Sequence, residues 1–96
     1  FIENVVQANL LAASSQEAIG QTMNIGCGER ISLNKVLELA REMLDTHLLA
    51  EYREARAGDV RDSLADISRA RRLLGYTPTI GFREGLARTL QELKQR

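Results

Sequence analysis

Four segments of the chain place hydrophobic residues at the spacing of an amphipathic helix. The first covers Glu3 to Ser14, with Val6, Leu10 and Ala13 on one face. The second follows Ser32, whose hydroxyl can accept a hydrogen bond from a free N–H of the first turn. This second segment is the best periodic match in the chain, with apolar positions at Leu33, Val36, Leu37, Ala40, Met43 and Leu44.

Two further helices are predicted in the last third of the chain. Asp66 is a candidate N-cap for a short helix, and Gly75 suits the left-handed position that ends one. Pro78 lies in a turn, and Gly81 opens the last helix. The inward positions are predicted to be Ile67, Ala70, Leu73 and Leu74 in the first of these helices, and Phe82, Leu86, Leu90 and Leu93 in the second.

Two short segments, Thr22 to Gly26 and Leu48 to Glu54, are strand candidates. The resulting order predicts a mixed, helix-rich α/β fold, in which four helices cover a small sheet of short strands. Two strands alone form a sheet of only marginal stability. We therefore expect further strands of this sheet to lie in another part of the protein. The first residues, FIENVVQANLLAAS, lack a methionine and already follow a helical pattern. We therefore expect the chain to be a piece of a longer protein.

Composition narrows the class of protein. The 96 residues are enough for one domain, and 13 basic residues balance 13 acidic ones. This neutrality argues against a general binder of nucleic acid or another polyanion. Cys27 is the only cysteine, so no disulfide can form within the chain. No apolar run approaches the roughly 18 residues of a membrane span, and no signal peptide is evident. We expect a soluble, cytoplasmic protein.

Several motifs favour structural roles over chemistry. In NIGCGERIS, Gly26 and Gly28 fit a dinucleotide fingerprint, but Ile31 occupies the third glycine position, which favours a tight strand-to-helix turn. His47 and Cys27 have no second His or Cys to complete a zinc site, and His47 is predicted to lie near a helix end. A cluster of arginines on one short helix is a weak nucleic-acid signal, and a solvated outer face is favoured. Its members are Arg69, Arg71 and Arg72.

The stretch EARAGDVRDS combines Arg56, Gly58 and Asp59 in one polar loop. A guanidinium can hold a phosphate with two parallel hydrogen bonds, and a glycine lets the backbone turn closely around a ligand. Asp59 can orient the arginine or accept a hydrogen bond from a sugar hydroxyl. On spacing alone, a solvated surface turn with a weak ion pair is the favoured alternative.

Three blocks of the sequence resemble successive blocks of one family. They are FIENVVQANLLAA, NIGCGERISLNKVLELAREML and RAGDVRDSLADISRARRLLGYTPTIGFREGL. The family is the extended short-chain dehydrogenases/reductases that act on nucleotide sugars, and the nearest resemblance is to the UDP-N-acetylglucosamine/UDP-glucose 4-epimerases. The most specific piece is R-x-G-D-V-R-x-S-x-A-D-x-S-[KR]-A, which residues Arg56 to Ala70 match throughout.

The resemblance implies a role for three loop residues. Arg56 would contact the diphosphate of a UDP-sugar, and Asp59 would bond near the ribose and diphosphate. Ser63 would lie beside the hexose, where a small residue leaves room for an N-acetyl group. The same serine also occurs in relatives that act on uronates.

The resemblance also implies that substrate binding and NAD binding belong to different domains. Residues 1–96 would be the C-terminal substrate-binding domain of a Rossmann-type, NAD-dependent epimerase that oxidises C4 of the hexose and reduces it again from the other face. The NAD-binding domain would lie outside this chain as its partner, and the chain itself would bind no cofactor. The family uses a Tyr-x-x-x-Lys pair, but Arg56 and Ile80 follow Tyr52 and Tyr76 at that spacing. The chain alone is therefore expected to be non-catalytic.

Other readings stay open at this point. The parent protein could be a nucleotide-sugar dehydratase, decarboxylase or reductase. The chain could instead be a small helical interaction module without a ligand. Removal from the rest of the protein is expected to expose apolar surface and to favour homo-oligomers.

Overall fold

Four α-helices form the framework of the chain in the computed structural model, which describes residues 1–47, 49, 51–54, 57–58 and 64–96. All four predicted helices are confirmed. They are α1 (Ile2–Ser14), α2 (Leu33–Leu44), α3 (Ser68–Leu74) and α4 (Phe82–Gln95), with a short 3₁₀ turn at Gln16–Ala18. Within the described residues, none of these helices is long and apolar enough to cross a membrane.

The helix ends follow the capping residues of the sequence. The hydroxyl of Ser32 accepts the N–H of Lys35 at 3.1 Å and so begins α2. Gly75 ends α3 in the left-handed conformation, with φ at 66° and its N–H directed back into the helix. Asp45 ends α2 in the same region, with φ at 51°, and His47 lies just beyond it as predicted.

The predicted small sheet is wrong, because the described residues contain no β-strand. A strand needs a neighbouring segment that pairs with its N–H and C=O groups. Side chains bond to the Thr22–Gly26 segment instead: Arg69 donates to the Thr22 carbonyl at 2.9 Å, and the Tyr76 hydroxyl donates to the Gly26 carbonyl at 2.8 Å. In the second strand candidate, Leu48 and Ala50 lie outside the described residues, and the described remainder forms no strand.

The core lies between α1, α3 and the extended segment before α2. It is a cluster of buried residues, namely Ala8, Ile67, Ala70, Leu74 and Tyr76. Ala8 and Ala70 are small, which permits the close approach of α1 and α3. Half-buried side chains complete the cluster, and they are Leu11, Ala18, Met23, Ile25 and Ala65.

The apolar face that the periodicity of α1 identifies is not the face that packs on the core. Asn4, Ala8 and Leu11 face the core, whereas Val6 and Leu10 are 50% and 69% exposed. Asn4 lies inward although its side chain is polar. Its amide is buried because it bonds to the main chain of the segment before α4.

The second contact between helices pairs α2 with α4. Leu39 of α2 is buried, and Arg83 of α4 forms an exposed ion pair with Glu42 at 2.8 Å. The pair holds the pKa of Glu42 below its usual range, chiefly through the Arg83 hydrogen bond. In α4, Leu93 is 57% exposed rather than buried as predicted.

Candidate functional site

The polar loop between residues 55 and 63 carries the predicted site. Arg56, Asp59 and Ser63 lie outside the described residues, so their roles stay predictions. Ala57 and Gly58 are described, and Gly58 has φ at 86°. This left-handed conformation is one that glycine adopts without steric cost, which agrees with the predicted turn.

The residues just before this loop contact α2. The hydroxyl of Tyr52 donates to the side-chain oxygen of Asn34 at 3.0 Å. Asn34 lies in the first turn of α2, so this bond connects the approach to the loop with the beginning of that helix. Arg53 pairs with Glu51 at 3.0 Å on the exposed side.

The residues just after the loop lead directly into α3. Asp66 was expected to cap this helix, and its carboxylate accepts the N–H of Ser68 at 2.9 Å. The helix begins at Ser68, so Ile67 is the formal cap residue and Asp66 precedes it by one position. The hydrogen bond from the Ser68 N–H, with a smaller contribution from its hydroxyl, holds the pKa of Asp66 below its usual range.

Gly26 and Gly28 pack against the segment Ala65–Ile67, which connects the loop to α3. A Cβ added to Gly26 would lie 3.1 Å from Ala65 Cβ, and one added to Gly28 would lie 3.2 Å from Ile67 Cδ1. Gly28 also has φ at 70°. The predicted tight turn is confirmed here, although no strand precedes it.

This packing also tests the turn as a cofactor cradle. A dinucleotide needs open space above the glycines for its pyrophosphate. Here the chain's own Ala65 and Ile67 occupy the space beside Gly26 and Gly28. The chain's own segment thus fills the side of the turn where a Cβ would point, and Ile31 departs from the fingerprint.

A buried hydrogen-bond network holds the glycine turn in place. Tyr76 is fully buried, and its hydroxyl donates to the Gly26 carbonyl at 2.8 Å. Burial, and to a smaller extent the nearby Cys27, raises the pKa of Tyr76 above its usual value, so the neutral donor form is favoured. Asn4 donates to Cys27 Sγ at 3.6 Å. Its amide also donates to the Ile80 carbonyl at 2.8 Å and accepts the N–H groups of Thr79 and Ile80, each at 3.1 Å.

A concave surface opens where the glycine turn meets the end of the loop. Its volume is about 300 Å³, and its lining includes Gly28, Leu64, Ala65, Ser68 and Arg71. Leu64, which the cavity includes, follows Ser63 in the sequence.

The three arginines of α3 do not act as one patch. Arg69 donates to the Thr22 carbonyl and, with Arg72, lines an open cleft against the extended segment. Arg71 instead lines the cavity beside Gly28. All three side chains are exposed, as the solvated-face interpretation expects. Among the described residues, no group of three or more His, Cys, Asp or Glu side chains is placed to hold a metal ion.

No family model matches the sequence. Curated relatives do match it along nearly its whole length. The uncharacterized UDP-glucose epimerase YtcB of Bacillus subtilis is 30% identical over 97% of the chain, and UDP-glucuronate 4-epimerase of Thermodesulfobacterium geofontis is 30% identical over 99%. In each case the match covers 29% of the relative. The chain thus spans about three tenths of the length of these relatives.

Solved structures agree with the sequence matches. UDP-glucose 4-epimerase of Thermotoga maritima, determined with UDP-glucose, superposes on 99% of the chain with a TM-score of 0.90 and 31% identity. The protein MoeE5, determined with UDP-glucuronic acid and NAD, superposes on 98% with a TM-score of 0.89 and 35% identity. These matches cover 30% and 31% of the respective structures.

The fold and the sequence matches relate the chain to the short-chain dehydrogenase/reductase family. Within this family, it is homologous to the C-terminal part of the UDP-sugar epimerases. The resemblance of the sequence blocks to this family is thereby confirmed.

The local sequence does not reveal two structurally important residues, Asn4 and Tyr76. A polar residue on an amphipathic helix, such as Asn4, usually lies on the solvent face. No local pattern links the Tyr76 hydroxyl to Gly26, 50 residues away. Both side chains act through long-range hydrogen bonds, which leave no periodic signal.

Proposed function

We propose that this chain is the substrate-binding portion of an NAD-dependent UDP-sugar 4-epimerase and that it holds the diphosphate of the UDP-hexose. The observation that carries the proposal is the superposition on 99% of the chain, at 31% identity, of an epimerase determined with UDP-glucose. The match of residues 56–70 to the family pattern at every defined position adds specific support.

In this proposal, Arg56 supplies the main contact with the diphosphate. Its planar guanidinium stays charged at neutral pH and can form two parallel hydrogen bonds to phosphate oxygens. Asp59 bonds near the ribose and also orients the loop, while Ser63 lies beside the hexose.

The described residues on either side of the loop support this assignment, because hydrogen bonds hold both ends of the loop in place. The Tyr52 hydroxyl donates to Asn34 at the start of α2, and the Asp66 carboxylate accepts the N–H of Ser68 at the start of α3. A loop with anchored ends loses less conformational entropy when it binds a ligand, which increases affinity.

The chemical step belongs to the part of the protein outside this chain. Neither Tyr52 nor Tyr76 is followed by lysine at the required spacing, and Ile31 stands where a dinucleotide fingerprint has its third glycine. The chain contributes by binding and orienting the substrate. Its single free cysteine fits a protein that works in the reducing cytoplasm.

Calorimetric titration of the full-length protein with UDP tests the role of Arg56. Hydrogen bonds to charged groups contribute about 1.5–3 kcal/mol. Arg56→Ala should therefore weaken UDP binding by about 10- to 150-fold. Arg53→Ala is the matched control, since Arg53 is exposed, pairs with the neighbouring Glu51 and lies three residues from Arg56. Equal affinity in both variants would contradict the proposal and favour an interaction module without a ligand.

The size of residue 63 should decide which hexoses fit. Ser63→Tyr is expected to reduce turnover of UDP-N-acetylglucosamine at least about tenfold while UDP-glucose is still accepted, because the ring fills the space of the acetamido group. Kinetics with the two substrates measure the ratio, and Ser14→Tyr, at an exposed serine at the end of α1, is the control. Parallel losses for both substrates would contradict the role of Ser63.

A decarboxylase is the second candidate function. UDP-glucuronic acid decarboxylase 1 of Arabidopsis thaliana is 26% identical over the whole chain. Incubation of the full-length protein with UDP-glucuronate separates the two candidates. An epimerase retains the carboxylate and yields the C4 epimer, whereas a decarboxylase releases CO₂ and yields a pentose.

A further inference from the structure

We propose that Gly26 and Gly28 are positioning residues for UDP-sugar binding, because they set where the substrate loop ends. This inference rests on the proposed function of the loop. Neither glycine is expected to touch the substrate. Both act through the segment Ala65–Ile67, against which they pack.

The contact at Gly26 leaves no room for a side chain. An added Cβ would lie 3.1 Å from Ala65 Cβ, which is closer than ordinary van der Waals contact. Ala65 Cβ is the first atom of a short side chain, so it cannot rotate away. The backbone of Ala65 would therefore have to move by a few tenths of an ångström.

The contact at Gly28 is equally close and adds a backbone requirement. An added Cβ would lie 3.2 Å from Ile67 Cδ1, and Ile67 is 4% exposed within the core. The φ of 70° also disfavours any residue with a Cβ. By contrast, Gly20 and Gly81 have nothing within 4 Å of an added Cβ, so close packing is not a general property of the glycines in this chain.

The connection to the ligand is short. Ala65 lies two residues after Ser63, so displacement of Ala65 moves the end of the loop that carries Ser63. Polar recognition depends on the placement of donor and acceptor atoms, and a small misplacement lowers affinity steeply. The hydrogen bond from Tyr76 to the Gly26 carbonyl keeps the turn from yielding in place of Ala65.

Gly26→Ala in the full-length protein is the primary test. We expect it to weaken the binding of UDP-glucose at least about fivefold. Gly85→Ala is the control for general destabilisation, because an added Cβ there would lie 2.8 Å from Phe1 Cβ, a more severe clash outside the loop region. It is expected to lower the melting temperature but to leave UDP-glucose affinity within about twofold of wild type, since its clash does not involve Ala65.

A compensating variant separates positioning from general destabilisation. Gly26→Ala combined with Ala65→Gly removes the clashing methyl group and should restore most of the affinity. Ala65→Gly alone reports the effect of the added backbone freedom.

The outcomes are distinct. Wild-type affinity in Gly26→Ala, equal losses in Gly26→Ala and Gly85→Ala, or no recovery in the double variant would each overturn the positioning role while the proposed function stands. Failure of the wild-type protein to bind UDP-glucose at millimolar concentration would overturn both proposals.

Discussion

The side-chain amide of Asn4 makes three hydrogen bonds to the main chain of Thr79 and Ile80. These bonds connect the first turn of α1 to the segment that leads into α4. Asn4 is 2% exposed, so water cannot replace the bonds when they are lost. Asn4 therefore helps to fix how the beginning of α1 meets the segment before α4.

Asn4→Ala should lower the free energy of unfolding by about 1–3 kcal/mol, because it removes all three hydrogen bonds and leaves the buried N–H of Ile80 without its partner. Asn9→Ala is the matched control, since Asn9 is exposed on the same helix. Urea denaturation of the full-length variants, followed by circular dichroism, measures the difference. A change in Asn4→Ala no larger than that in Asn9→Ala would contradict this role.

At the scale of secondary structure, the sequence predicted helices well and strands poorly. Helix signals are local: the cap at Ser32, the stop at Gly75 and the apolar period of α2 lie within one turn or a few. A strand depends on a neighbour that the sequence does not name. Thr22–Gly26 has strand composition, yet side chains supply its described carbonyl bonds.

The candidate site, like the secondary structure, was predictable only where its signal is local in the sequence. The family pattern in residues 56–70 identified the loop, and the glycine turn was predicted from its spacing. The contact of Gly26 with Ala65 was not predictable, because the two residues are 39 positions apart and meet only through the tertiary fold. The burial of Asn4 in α1 was not predictable for the same reason, because its hydrogen-bond partners lie near the other end of the chain.

The cap at Asp66 gives α3 a defined dependence on pH. The folded-state pKa of Asp66 is lowered by the Ser68 hydrogen bonds. Its contribution to stability is therefore present above the unfolded pKa of about 3.9 and is lost as the pH falls through the lower folded value. Asp66→Ala should speed hydrogen exchange in the first turn of α3 at neutral pH, and Asp66→Asn should do so less, because asparagine also caps. Exchange rates that match wild type at neutral pH would contradict this role of Asp66.

At the scale of the whole molecule, the chain exposes more surface than a compact protein of its size. Its accessible surface is 7891 Å², against about 5,500 Å² for a compact monomer of the same mass. Part of this surface is one apolar face of α1, where Ile2, Val6 and Leu10 are at least half exposed. Such faces favour association when nothing covers them.

The isolated 96-residue chain should therefore self-associate at high concentration. Leu10→Lys, at a position that is 69% exposed, should reduce association without disturbing the core. Sedimentation velocity over a range of concentrations measures both chains. Purely monomeric sedimentation of the unmodified chain at high concentration would count against this prediction.

The most direct test of the central claim observes Arg56 itself. We would record ¹H–¹⁵N spectra of the arginine Nε–Hε groups in the full-length protein during titration with UDP, and assign the Arg56 signal from Arg56→Lys. The proposed function predicts that the Arg56 signal shifts and saturates while the Arg53 signal stays in place. Saturation of the protein with UDP without a shift of the Arg56 signal, or no binding at several millimolar, would contradict the claim that this loop holds the diphosphate.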